Sequence, residues 1–237
     1  MLFKRLSSAL RRQDWTAFAI EFLIVVIGIY AAFELDRWRE LEAARSAYEN
    51  LTRMLSLELD EKLPETRRRI EVLQGVRDEQ NTVIQWLNGD QSRSSFTEEM
   101  CFATFRSLVL NWSPTRLETA AFMVIGDGDQ HVQDMELQRL LLALGSLQEQ
   151  TDRAFDRFVL QIVNISDRYP ELLRRHDPST DEIREGLVCD PEGMRANQAF
   201  KNQLFGNIGR QSALLDSRLR ELELLEKIAA RVAELQQ

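Results

Sequence analysis

The pattern of hydrophobic and polar residues changes once along this chain, near residue 34. From Trp15 to Phe33 the sequence is apolar apart from one charged residue, Glu21. A helix of this length extends about 28 Å, close to the thickness of the hydrocarbon core of a bilayer. The pattern predicts a single membrane-spanning helix near the N-terminus, which we assign to residues 15–35.

Two other interpretations of this segment are a cleaved signal peptide and a buried soluble helix. A signal peptide has a shorter apolar core and a small-residue cleavage site, and neither fits this run. The aromatic residues Trp15, Tyr30 and Trp38 lie near its two ends, where interfacial anchors are usual. These flanks favour a retained membrane anchor.

After residue 34 the apolar residues recur at steps of three and four, which is typical of one face of a helix. The first such stripe is Leu35, Trp38, Leu41, Ala44, Tyr48, Leu51, Leu55, Leu59 and Leu63. No Gly or Pro separates it from the apolar run, so the anchor and the first soluble helix are predicted to form one rod. Pro64 is expected to kink or end this rod.

The same spacing predicts helices through most of the remaining chain, and no segment shows the alternation of a strand. Thr97 and Asp134 are candidate N-caps, while Ser113-Pro114 and Asp190-Pro191 each suggest a cap followed by Pro at the first helical position. One helix is expected from Asp134 almost to Tyr169, and another from Phe200 to Val232. Because long helices bury their apolar faces against each other, we predict an all-α fold with an elongated antiparallel bundle over residues 36–237.

Basic residues near the span indicate its orientation. Lys4, Arg5, Arg11 and Arg12 precede it, whereas the bases after it are interleaved with acids. This difference favours a cytoplasmic tail of residues 1–14 and a bundle on the opposite side, which is the periplasm in a Gram-negative cell. The tail has two interpretations, a short basic amphipathic helix on the inner leaflet or a disordered segment.

The distribution of charge argues against nucleic acid as a partner. The chain carries a formal charge of −8, and residues 1–33 contribute +2, which leaves −10 on residues 34–237. A protein that binds phosphate backbones needs a basic face.

The two cysteines, Cys101 and Cys189, both lie outside the predicted span. An oxidising compartment permits a disulfide between them, and two ordinary buried thiols are the alternative. Neither cysteine has a second Cys or a His at the spacing of metal ligands.

Residues typical of catalysis or metal binding are scattered. His131 and His176 lie in polar, loop-like sequence, and Asp127 and Asp129 suit a turn better than a calcium loop. Nucleophile-elbow and phosphate-loop motifs are absent from the sequence. The charged runs Arg67–Arg69 and Glu221–Glu226 indicate solvated helix faces. We therefore expect a non-enzymatic protein with no catalytic residue, cofactor or metal, and no small-molecule ligand.

Glu21 is unusual because ionisable residues within spans often have a function. Glu21, Val25, Gly28 and Ala32 share one helix face, and Gly28 with Ala32 forms a small-xxx-small step that permits close helix approach. One hypothesis is a helix–helix contact in the membrane, with a second copy or another membrane protein. The alternative is that the Glu21 carboxylate reaches the headgroups or Arg11 and Arg12.

The N-terminal sequence Gln13–Ala17, Glu21–Ile29 and Trp38–Glu40 resembles a family of uncharacterised bacterial single-pass membrane proteins, in which an acid precedes an aliphatic V-V-I-G run. Arg37 and Arg39 stand where that family usually has asparagine. A weaker similarity links Glu118-Thr119, Gly126-Asp127 and Asp134–Leu137 to the family's glycine turn and the helix start that follows it. The resemblance implies a helical extracytoplasmic domain and no established activity.

Two functional hypotheses follow from these features. The first is an inner-membrane anchor that holds a periplasmic bundle and acts as an accessory, scaffold or assembly partner of a membrane complex. The second is a sensor or regulator whose bundle binds a ligand and signals through a membrane partner.

Overall fold

The computed structural model describes residues 15–89, 95–107, 113–120, 134–175 and 186–236, with side chains from Ala19 onward. Its elements are α1 (Trp15–Leu87), α2 (Glu98–Arg106), α3 (Met135–Gln161), α4 (Ile165–Arg168), β1 (Leu173–Arg175), β2 (Leu187–Cys189), α5 (Pro191–Ala196) and α6 (Gln198–Leu235). Helices dominate these residues, which confirms the predicted helical class.

Helix α1 is unbroken for 73 residues and extends about 110 Å. Pro64 lies inside it, so the prediction that the helix could end there is wrong. Pro64 is exposed, and at such a position the carbonyl that loses its helical partner can bind water instead. The apolar run and the first bundle helix therefore belong to one continuous element.

Helices α1 and α6 pair antiparallel along most of α6. Contacts join Thr52 to Gln236, Arg67 to Glu226, and Gln80 to Gln211. The residue numbers of α6 decrease as those of α1 increase, so the two helices run in opposite directions. Helix α3 is also antiparallel to α6, because Asp134 binds Arg231 while Gln148 binds Glu221. The described helices thus form the antiparallel bundle that the sequence predicts.

Helix α3 ends earlier than expected. It stops at Gln161, three residues intervene, and α4 begins at Ile165. The side chain of Asn207, fully buried in α6, accepts from the Val163 N–H at 3.1 Å and donates to the Val163 carbonyl at 2.8 Å. These two bonds satisfy the backbone of Val163 outside a helix, so the break is stable.

Local capping explains several helix starts. The side chains of Thr97, Asp134 and Asp190 accept from backbone N–H groups three residues later, as predicted. Ser113-Pro114 does not start a helix, which corrects the expectation; the backbone is non-helical from Ser113 to Leu117 and turns helical at residue 118.

Strands β1 and β2 form a short antiparallel pair that the sequence analysis missed. Leu173 lies opposite Cys189, and Arg175 lies opposite Leu187. Three residues per strand are too few to show an alternating pattern. A disulfide joins Cys189 in β2 to Cys101 in α2, with 5.9 Å between their Cα atoms, and so fastens the strand pair to the helical part.

The buried apolar side chains form two cores. The lower core, near Asp134 and the C-terminal end of α6, consists of Leu55, Leu59, Leu63, Leu117, Leu137, Leu140, Leu141, Leu144, Leu225, Ile228 and Val232. The upper core, around the disulfide, consists of Val83, Trp86, Leu87, Met100, Cys101, Ala103, Ile165, Leu172, Leu173, Met194, Phe200, Leu204 and Ile208. Helices α1 and α6 contribute to both cores and connect them.

Removing the disulfide is expected to destabilise the upper core. The two cysteines are 88 positions apart, and on the chain-entropy model a link over such a loop contributes about 4.6 kcal/mol. Cys101→Ser with Cys189→Ser should therefore lower the urea midpoint of the full chain, followed by tryptophan fluorescence in mild detergent. Reductant should lower the wild-type midpoint to the same extent and leave the double variant unchanged. An unchanged midpoint in the double variant would contradict the expected contribution.

Candidate functional site: an uncovered helix and a polar clamp

The first part of α1 projects beyond the bundle. Every described residue from 19 to 43 is exposed, and the first half-buried side chains that join the lower core belong to Tyr48 and Leu51. The large apolar side chains between Ile20 and Phe33 are each at least 46% exposed. Monomeric soluble proteins seldom leave so large an apolar surface bare, so this segment is the first candidate for function.

The predicted contact residues Glu21, Val25, Gly28 and Ala32 form what we call the back face of α1. All four are exposed, and a Cβ built on Gly28 would meet no atom within 4 Å. Ala32 precedes the core residue Leu59 by 27 positions, about 7.5 helical turns, so the two lie on opposite sides of α1. The back face therefore points away from the side of α1 that packs in the bundle.

The predicted interfacial aromatics are only partly described. Tyr30 and Trp38 are 66% and 61% exposed, while the side chain of Trp15 lies outside the described residues. Within the part of the chain whose side chains are described, none of the helices has both the length and the apolarity needed to cross a membrane.

A second notable feature is a cluster of polar side chains inside the bundle. Glu58, Lys62 and Thr66 of α1, Gln148 of α3 and Glu221 of α6 all bind residues 113–119, which are non-helical as far as Leu117. We call this set the polar clamp. It holds a non-helical segment across three helices of the bundle.

Thr115 is bound through all of its polar groups. Its N–H donates to Glu221 Oε1 at 2.8 Å, its carbonyl accepts from Gln148 Nε2 at 2.9 Å, and its hydroxyl lies 2.7 Å from that of Thr66. Gln148 also donates to Glu221 at 2.8 Å. These bonds give partners to the backbone groups of a half-buried residue that lies outside a helix.

Glu221 and Arg218 form a buried ion pair at this level, with side chains 0% and 3% exposed. The interpretation of Glu221 as part of a solvated run is therefore wrong. The spacing of the sequence could have indicated this burial. Steps of three and four separate Leu214, Arg218, Glu221 and Leu225, which all lie on the buried face of α6. Burying this pair is tolerable because the carboxylate also accepts hydrogen bonds from Thr115 and Gln148.

Glu58 caps the helical turn that begins at residue 118. Its two carboxylate oxygens accept from the N–H groups of Glu118 at 2.7 Å and Thr119 at 3.0 Å, and Lys62 donates to the same carboxylate at 2.7 Å. Burial alone would raise the pKa of Glu58, but these hydrogen bonds outweigh it and hold the pKa below its ordinary value. A side chain from another helix thus performs the capping that Ser113 was predicted to provide.

Asp134 serves two functions near the lower end of the bundle. It caps α3 through the N–H of Leu137 at 2.7 Å and pairs with Arg231 of α6. The hydrogen bond from Arg231 is the main reason that the pKa of Asp134 lies below its usual range. The start of α3 is thereby tied to α6.

Side chains suited to metal binding are not gathered in the described ranges. No three or more His, Cys, Asp or Glu side chains there are arranged to hold a metal ion. His131, His176, Asp127 and Asp129 all lie outside the described residues.

Comparison with protein-family models, with curated proteins and with solved structures finds no match to this chain. The resemblance of the N-terminal sequence to a family of single-pass membrane proteins stays a prediction.

The clamp predicts how stability depends on pH. Because folding lowers the pKa of Glu58 from its ordinary value near 4.5, its contribution is complete above that value and is lost as the pH falls through the lower pKa of the folded state. Glu58→Gln should lower the free energy of unfolding by about 1–3 kcal/mol at pH 7, because one backbone N–H loses its acceptor. The difference from wild type should shrink below pH 4, measured by urea unfolding.

Glu49→Gln is the matched control for this measurement, because Glu49 is 59% exposed and forms an exposed pair with Arg45 at i−4. Exposed pairs of this kind contribute well under 1 kcal/mol, so the control should behave as wild type. Equal losses in the two variants, or a Glu58→Gln deficit that does not change with pH, would count against the capping function of Glu58.

Proposed function

We propose that this chain is a non-enzymatic, membrane-anchored interaction protein. Residues 15–35 form the anchor in the bacterial inner membrane, residues 1–14 stay in the cytoplasm, and the bundle lies in the periplasm as an accessory, scaffold or assembly partner of a membrane complex. The observation that carries the proposal is the apolar end of α1, which is exposed around its circumference and continuous with the bundle.

The amount of exposed apolar surface supports a bilayer as its environment. Ile20, Phe22, Ile24 and Phe33 are each more than half exposed and point in several directions around the helix. A protein partner would normally cover one side of a helix, whereas lipid covers all sides. The apolar sequence begins at Trp15, so the described side chains from Ala19 onward represent only part of the proposed span.

The position of the back face supports a specific neighbour in the membrane. Its small residues permit close packing of another helix, and Glu21 could hydrogen-bond within such an interface. Since the back face lies opposite the bundle, a helix seated on it would not collide with α3 or α6. This arrangement suits either a second copy of the chain or a larger membrane protein.

Continuity of α1 supports a mechanical link between anchor and bundle. The same helix supplies the apolar run, Leu55 and Leu59 of the lower core, and Val83 and Leu87 of the upper core. A partner that tilts or rotates the anchor would move both cores with it, because no break lies between them.

Membrane fractionation tests the anchor. The wild-type chain should sediment with inner membranes, resist alkaline carbonate and dissolve in detergent. Ile24→Arg with Ile27→Arg should release it, since each arginine costs about 3 kcal/mol near the centre of a span. Ile24→Leu with Ile27→Leu is the matched control and should stay in the membrane.

Protease added to spheroplasts should remove a C-terminal tag if the bundle is periplasmic. Protection of the tag would reverse the proposed orientation, and release of the wild-type chain by carbonate would contradict the anchor itself.

Affinity purification from membranes tests the back face. Glu21→Leu and Ala32→Ile should each reduce the recovery of a stoichiometric partner, or of a differently tagged second copy, by several-fold. Ala19→Ile is the control, because it adds a similar volume on the other side of α1. If all three variants recover the same proteins as wild type, the back face is not the contact surface.

A further inference from the structure

A cleft of about 430 Å³ opens between α1, α2 and α6. Its residues on α1 run from Val72 to Gln80, between Leu63 of the lower core and Val83 of the upper core. It therefore lies where neither core fills the bundle. The cleft is separate from both the back face and the polar clamp.

The walls of the cleft are apolar. They are formed by Val72, Leu73, Val76, Phe102, Phe105, Leu214 and Leu215. Leu214 and Leu215 are buried, while the two phenylalanines are half-buried along the side that α2 supplies. A cleft of this volume and lining falls within the range of sites that hold small apolar ligands.

Two glutamines that line the cleft, Gln80 and Gln211, are already hydrogen-bonded. Gln80, only 1% exposed, donates to Gln211, and Gln211 donates to the carbonyl of Arg106 at 2.8 Å. An apolar occupant would leave these hydrogen bonds intact. The inner part of the cleft thus suits a hydrocarbon chain better than a polar molecule.

Two cationic side chains lie among the lining residues, Arg77 from α1 and Arg106 from α2. Arg77 pairs with Asp216 at 3.1 Å, and Arg106 lies 3.6 Å from Glu79. These acids are 52% and 43% exposed. Exposed pairs contribute at most about 1 kcal/mol, so an anionic ligand can compete for the guanidinium groups.

We propose that this cleft binds one long-chain fatty carboxylate. The acyl chain lies against the apolar walls, and the carboxylate is held by Arg77 and Arg106, whose planar guanidinium groups match its geometry. Binding goes beyond the scaffold function and rests on it in one respect, that the bundle lies in a compartment bounded by membranes that can release such a ligand. Such binding favours the hypothesis that the bundle is a sensor. It departs from the expectation, drawn from the sequence, that the protein has no small-molecule ligand.

Photolabelling locates the ligand. The full chain is placed in nanodiscs of phosphatidylcholine with palmitate that carries a diazirine on its chain, irradiated and digested. Labelled peptides should come from residues 72–80, 102–106 and 211–215, in addition to any label that bilayer lipid places on residues 19–33. Excess unlabelled palmitate should reduce the cleft label at least fivefold and leave the bilayer label largely unchanged.

Variants test the two parts of the proposed site. Arg77→Gln with Arg106→Gln should lower the cleft label at least fivefold, whereas Arg45→Gln with Arg53→Gln, two exposed arginines elsewhere on α1, should not. Val76→Trp narrows the cleft and should also lower the label. Circular dichroism and urea unfolding identify any variant that fails to fold. If Val76→Trp does not fold, the double arginine variant still tests the site, because Arg77 and Arg106 are about 30% exposed and belong to neither core.

Competition by other amphiphiles tests whether the cleft recognises a fatty carboxylate or the headgroup of a lipid. The neutral alcohol of the same chain length should compete weakly, because it has no charge to offer the arginines. If it competes as well as palmitate, or if lysophosphatidylglycerol competes better, the carboxylate assignment is wrong. Label confined to residues 19–33 overturns the cleft altogether, and this readout is independent of the carbonate extraction that tests the anchor.

Discussion

The antiparallel pairing of α1 with α6 is the contact on which the rest of the structure depends. Both helices contribute to both apolar cores, and their register is fixed by pairs spread along the interface, from Thr52 with Gln236 to Gln80 with Gln211. Helix α3 packs on α6, to which it is joined by hydrogen bonds of Asp134 with Arg231 and of Gln148 with Glu221. If α6 were displaced along α1, both cores and the polar clamp would lose their partners together.

The polar clamp occupies a level of the bundle that apolar side chains could also fill. Buried charges are costly, and an apolar replacement often stabilises a protein more. What Glu221 and Gln148 provide is a specific set of acceptors and donors for Thr115, which an apolar layer could not match. The clamp therefore selects one path for residues 113–119 and one register for the helices around them.

The parts of the fold that depend on local sequence were predictable, whereas those that depend on distant partners were not. The helix starts at Thr97, Asp134 and Asp190 follow from side chains that bind their own backbone three residues away. The start at residue 118 does not, because its cap is Glu58, sixty positions earlier. The break after Gln161 likewise depends on Asn207, and a spacing rule cannot detect a partner on another helix. Pro64 does not end the helix although proline disfavours a helix interior, because burial of Leu59, Leu63 and Ile70 on either side of it outweighs that local cost.

The stretch of α1 between Phe33 and Tyr48 sets the distance between the apolar run and the lower core. Fifteen residues of helix amount to about 20 Å, and every residue of that interval up to residue 43 is exposed. If the apolar run lies in a bilayer, the lower core stands above the headgroups on this part of α1, which then acts as a strut. The length of that strut, and not only the chemistry of its faces, would then limit which neighbours can reach both the anchor and the bundle at once.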